Sequence, residues 1–92
     1  MKNRGIEMHQ NRPNPFSEQT EIIIDANDNN MMRDAVIVVT DLTGRFLRSY
    51  PLEISQGTNR VIVRKEGLAR GLYTYSLRIS GRTINAGKMS VY

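Results

Sequence analysis

The plainest alternation in the chain runs from Gly71 to Ser80. There Tyr73, Tyr75, Leu77 and Ile79 fall on one side of an extended backbone, and Thr74, Ser76, Arg78 and Ser80 on the other. Successive side chains of a strand point to opposite faces, so this period of two predicts a half-buried strand. Thr20 to Asp25 (TEIIID) is shorter, β-branched and bounded by turn formers. Asp34 to Asp41 (DAVIVVTD) is a continuous β-branched run, the pattern of a strand covered on both faces or meeting a partner on its outer one. With Ala35, Ile37 and Val39 turned to a core, Val36 and Val38 point outward, as does Ile62 between Val61 and Val63. These three are candidates for a contact surface, unless a neighbouring loop or the N-terminal segment covers them.

Three further runs complete the pattern. RFLRSYPLEIS re-enters as a strand in which Pro51 marks an edge or a bend, and RVIVRK alternates. In TINAGKMSVY, Ile84 and Ala86 share one parity while Met89 and Val91 share the other, so a bulge is expected near Gly87. The connections read as turns: DANDNN, DLTGR with Gly44 supplying a positive φ, QGTN, EGLARG with Leu68 plugging the core, and SGR closing a tight hairpin at Gly81. No segment has a helical period. About seven short strands at regular spacing predict an all-β fold, an immunoglobulin-like antiparallel β-sandwich. Residues 1–9 read as a flexible N-terminal segment or linker and residues 10–92 as one domain.

Composition narrows the function more than the fold. A chain of 92 residues makes one small domain with a thin core. It has no cysteine, hence neither a disulfide framework nor a thiolate metal site. The net charge of +4 rests on thirteen basic residues, ten of them arginine, but they are scattered and build no basic helix or block. A solvated surface is expected and a nucleic-acid partner is not. No apolar run approaches the ~18 residues that would suggest a membrane-spanning helix, so direct membrane insertion is not expected. The first ten residues lack the apolar centre of a signal peptide; for a chain that reaches the cell surface, the export signal is then expected elsewhere, or the chain is one piece of a longer polypeptide.

Catalytic constellations are scarce. His9 is the sole histidine, lies in the N-terminal segment and has no cysteine or acid clustered with it in sequence, so a ligand role is not expected. No serine has an elbow motif, and the glycines sit singly rather than in a phosphate loop. Asp25, Asp28, Asn29, Asn30 and Asp34 are an oxygen-rich cluster of the kind calcium uses, but the spacing fits no EF-hand. The same residue types serve a strand connection, and a turn is favoured over a weak calcium site. The expectation is a non-enzymatic domain without cofactor or metal.

One stretch is more specific. In QNRPNPFSEQT, Pro13 and Pro15 fix φ and push Arg12 and Asn14 toward extended conformations, leaving Phe16 to anchor the segment in the core. This stretch, then VTDLTGRFL, GLARGLYTYSLRISGR and GKMSV, resembles in order and spacing the type A C-terminal sorting domain of the type IX secretion system. The likeness spans about residues 10–92. It implies a domain that ends a larger exported protein of a Bacteroidetes-type bacterium, read at the outer membrane by the type IX translocon. A cell-surface sortase then often cleaves the domain and joins the cargo to a lipopolysaccharide. On that resemblance Pro13, Asn14, Pro15 and Phe16 form the lead-in motif, and Asp41, Gly44 and Arg45 the central turn. Gly71, Leu72, Tyr73 and Tyr75 open the penultimate strand, and Lys88, Met89 and Val91 sit on the last. A terminal hairpin is also physically suited to be read by strand addition at its edge. DANDNNMMRD is longer and more polar than the link usual in the family. The same fold used otherwise gives a second reading, an immunoglobulin-like assembly or adhesion module of a surface or virion protein.

Overall fold

The computed structural model describes residues 2–3, 5–27 and 32–92. Among the described residues eight strands run in order: β1 (Lys2–Asn3), β2 (Ile6–Met8), β3 (Gln19–Ala26), β4 (Met32–Asp41), β5 (Phe46–Ile54), β6 (Gly57–Arg64), β7 (Gly71–Ile79) and β8 (Arg82–Val91). They form two four-stranded antiparallel sheets, β1-β2-β3-β6 and β5-β4-β7-β8. Their apolar faces close on one core in an immunoglobulin-like β-sandwich, as the alternation predicts.

Inward positions come at every second residue. Thr20, Ile22, Ile24 and Ala26 of β3, Val61 and Val63 of β6, Ala35, Ile37 and Val39 of β4, and Tyr73, Tyr75 and Leu77 of β7 are all buried. Burying an aliphatic or aromatic side chain of this size contributes about 1.5–3 kcal/mol each, which makes this shared layer the main source of stability. Leu68 plugs the core from the β6–β7 connection. The Tyr73 hydroxyl donates to the Ala69 carbonyl four residues upstream, the back-bond of a tyrosine corner. Ser80 and Gly81, both at positive φ (51° and 79°), make the two-residue hairpin turn between β7 and β8.

Four expectations change. Ile6 and Met8, assigned to a flexible segment, are buried members of the core, because β2 pairs with β3 from Ile6↔Ala26 to Met8↔Ile24. The QGTN turn contracts to Ser55 and Gln56, with Gly57 already in β6. The Asn59 side chain completes the turn, accepting from Ser55 N–H (3.0 Å) and donating to the Ser55 carbonyl (2.9 Å). Val38 does point outward but is buried, since β4 is a central strand with Ser49 and Ser76 directly opposite. Val36 is half-buried, and only Ile62 of the three contact-surface candidates is exposed.

The fourth concerns the last strand. Its bulge falls at Ile84, where pairing shifts from Leu77↔Asn85 to Arg78↔Thr83, and not at Gly87. Asn85, Met89 and Val91 thereby share the inward face, while Ala86 turns to solvent. Gly87 answers a different need. It lies directly opposite Tyr75, and a Cβ there would come within 2.7 Å of the ring carbon and hydroxyl of that tyrosine. The ring therefore crosses β8 where a side chain is missing. Gly87→Ala is expected to destabilise the domain by about 1–3 kcal/mol through this overlap. Tyr75→Leu should remove most of the additional alanine penalty. Urea unfolding of the two single variants and the double variant measures that coupling.

Candidate recognition surface at one end of the sandwich

The four sequence motifs become neighbours at one end of the β5-β4-β7-β8 sheet. Gly71 pairs with Val91, Leu72 with Ser90, and Tyr73 with both Met89 and Asp41. Phe16 joins the same row through a parallel bridge to Val91. The lead-in motif, the central turn, the head of β7 and the tail of β8 therefore lie side by side.

The lead-in is fastened to the outer edge of β8 in place of a further strand. Phe16 N–H donates to the Ser90 carbonyl (3.0 Å) and Tyr92 N–H to the Phe16 carbonyl (3.0 Å). Ser90 N–H donates to Asn14 Oδ1 (2.8 Å), and Gln10 Nε2 to the Lys88 carbonyl (2.7 Å). The peptide bonds before Pro13 and Pro15 are both cis. Phe16 inserts into the core and is 1 % exposed, the anchoring role its position predicts. The edge that strand addition would use is therefore already capped beside Lys88, Ser90 and Tyr92.

Beneath the prolines lies a polar network that sequence reasoning missed. Asn11, 1 % exposed, donates from Nδ2 to Thr20 Oγ1 (2.9 Å) and to the Pro13 carbonyl (3.2 Å). The Thr20 hydroxyl donates to the same carbonyl (2.8 Å). Tyr75 closes the network: its hydroxyl accepts from the Asn11 N–H (3.1 Å) and donates to the His9 carbonyl (3.3 Å). Burial pushes the Tyr75 phenol up, and the Asn11 N–H opposes this. Thr20 could have been found by parity, since it shares the inward face of Ile22 and Ile24. Asn11 carries no such signal.

The central turn is held by one carboxylate. Asp41 Oδ1 accepts from Thr43 Oγ1 (2.6 Å), Thr43 N–H (2.9 Å) and Arg45 N–H (3.0 Å). Gly44, at φ 90°, occupies the left-handed region that a side chain would strain. The Arg45 backbone closes the turn on Asp41, while its exposed guanidinium acts on that carboxylate as a nearby charge. The Thr43 hydroxyl, followed by the backbone N–H groups, holds the Asp41 pKa below the ordinary 3.8.

Around this end stand Leu42, Phe46, Leu72 and Tyr92, each more than half exposed. Phe46 and Leu72 lie on the outer face of their sheet, since Phe46 pairs with Thr40, Thr40 with Thr74, and Leu72 shares the parity of Thr74. Of these four, only Leu72 was singled out as a site residue; Leu42 and Phe46 lie within the VTDLTGRFL stretch, and Tyr92 follows GKMSV.

The oxygen-rich cluster takes another course. Asp28, Asn29 and Asn30 lie outside the described residues. Asp34 is exposed, and its carbonyl accepts from Ser80 N–H (2.9 Å). Asp25 bonds His9 Nε2 (2.8 Å) and accepts from Thr58 Oγ1 (3.0 Å). The hydrogen bond to His9 is the largest influence that lowers the Asp25 pKa. His9, two residues from Glu7 in sequence, thus gains Asp25 as a second acid through the β2–β3 pairing.

A depressed folded-state pKa implies stability that is complete well above the unfolded carboxylate value. That stability is lost as pH falls through it toward the folded value. Asp41→Asn should therefore flatten part of the acid limb of a stability–pH profile, leaving the part owed to Asp25. Urea midpoints between neutral pH and pH 3 check this; an unchanged acid limb would mean that the Asp41 cap contributes nothing.

Comparison with known proteins gives the family. No curated protein matches the chain. Residues 12–91 match the family model described as the secretion system C-terminal sorting domain, which includes the lead-in prolines, the central turn and the terminal hairpin. The match covers most of the chain, and the protein belongs to the family of secretion system C-terminal sorting domains.

Proposed function

We propose that this domain is a non-enzymatic export signal, carried behind a cargo and read by the type IX outer-membrane translocon on the way to the cell surface. The supporting observation is convergence. The family motifs meet at one end, where the lead-in caps the β8 edge and Leu42, Phe46, Leu72 and Tyr92 stand exposed. A monomeric domain ordinarily buries side chains of that size, and a group of them at one end suits a protein partner. With the edge beside Lys88 to Tyr92 occupied, the partner would read side chains on this end rather than add a strand there. The surface sortase would act upstream of the fold, where exposed backbone is open to a protease.

The folded unit begins before the matched region, because Ile6 and Met8 are core residues. A fusion should therefore carry residues 1–92, since one starting at residue 10 would strip β2 from the sheet. Placed behind a periplasmic signal peptide and a reporter in a type IX-competent host, the domain should bring the reporter to the surface or medium. The double variant Phe46→Ser/Leu72→Ser should reduce export at least several-fold while its far-ultraviolet circular dichroism stays unchanged. A folded wild-type fusion that remains in the periplasm would sink the export reading. Export undiminished by the double variant would move recognition away from this surface.

A further inference from the structure

We propose that Glu7, His9 and Asp25 form a binding site for a borderline first-row divalent cation of the zinc class. The three come together through strand geometry rather than sequence spacing. Glu7 and His9 are two residues apart, so they project from the same side of the chain. Glu7 pairs directly with Asp25, and His9 N–H donates to the Ile23 carbonyl (2.9 Å), which continues the β2–β3 ladder to His9.

One ligand atom from each residue lies within 4.8 Å of the other two. His9 Nε2 is 2.8 Å from Asp25 Oδ2 and 4.0 Å from Glu7 Oε1. Nitrogen and oxygen ligands about 2.0–2.2 Å from a tetrahedral zinc ion stand about 3.3–3.6 Å apart. The observed separations bracket that range, so small carboxylate rotations suffice to admit the ion.

Two features outside the trio favour a cation. The Thr58 hydroxyl bonds Asp25 Oδ1 (3.0 Å) and leaves Oδ2 aimed at His9, the outer-shell support that orients metal-binding carboxylates. An open groove of about 560 Å³, lined by His9, Asp25, Thr58 and Arg60 among others, runs beside the trio and has room for water to complete the coordination. The neighbouring Arg60 guanidinium, whose positive charge also acts on Asp25, is partly offset by Glu21 (Nε to Oε2 3.6 Å). The donor set then decides the class. One imidazole with two carboxylates suits zinc and its first-row neighbours, whereas calcium and magnesium prefer oxygen alone. A bound ion would tie β2 to β3 and so hold the lead-in in place.

Zinc titration of the untagged full chain tests the proposal. Calorimetry should show one ion per chain at micromolar affinity, and thermal unfolding should shift upward with zinc. Calcium at the same concentration should shift it little. His9→Ala, Asp25→Asn and Glu7→Gln should each weaken zinc binding tenfold or more while the apo circular dichroism spectrum stays unchanged. With a single histidine in the chain, the imidazole carbon–proton resonances report the site without ambiguity and should move on titration. No binding at millimolar zinc, zinc affinity that survives His9→Ala, stationary imidazole resonances, or calcium stabilising as strongly as zinc would each overturn it. These are measurements on the isolated domain, so their outcome is independent of whether it directs export.

Discussion

The contact between Tyr75 and Gly87 organises this domain. A glycine in the last strand opens the space through which a tyrosine of the neighbouring strand reaches. The hydroxyl beyond it then holds the backbone of Asn11 and His9. Asn11 in turn fixes Pro13 and Thr20, and the chain emerges from that network placed so that Asn14 and Phe16 can bond the edge of β8. A buried amide and hydroxyl would be costly without partners, and here each polar atom on the path finds one. The lead-in is consequently part of the fold, although it runs outside both sheets for most of its length.

The legible parts of the fold were those governed by a period of two. Tyr73, Tyr75 and Leu77, or Ile22 and Ile24, advertise their face because each lies on a strand with one covered side. Phe16 was legible as an anchor because it is an isolated large apolar residue after two prolines. What escaped depends on partners far away in the chain. Ile6 and Met8 alternate over too short a run to be distinguished from a linker, and pairing with Ile24 and Ala26 decides their place. The bulge at Ile84 and the role of Gly87 were exchanged, since a glycine inside a strand signals either a bulge or a close approach. Tertiary packing chose the close approach.

The candidate surface shows the same division. Asp41, Gly44 and Arg45 are read locally because an Asx turn is made by neighbouring atoms. Their adjacency to Leu72 and to the lead-in is a matter of strand order, which no local pattern carries. Leu42 and Phe46 were passed over for that reason: in sequence one lies within a turn and the other just after it, and in space they border the junction of all four motifs.

The bonds from the lead-in to the last strand also govern timing. Gln10 and Asn14 reach partners 78 and 76 residues away, close to the greatest separation the chain permits. Closing so long a loop is entropically costly, and contacts of this kind form late in folding. During synthesis the prolines and Phe16 emerge early but have no β8 edge to bind until residues 88–92 are present. The native course of the lead-in is therefore available only to a chain whose synthesis has reached that last strand. The ordering of the lead-in becomes, in effect, a check that the last strand has been made.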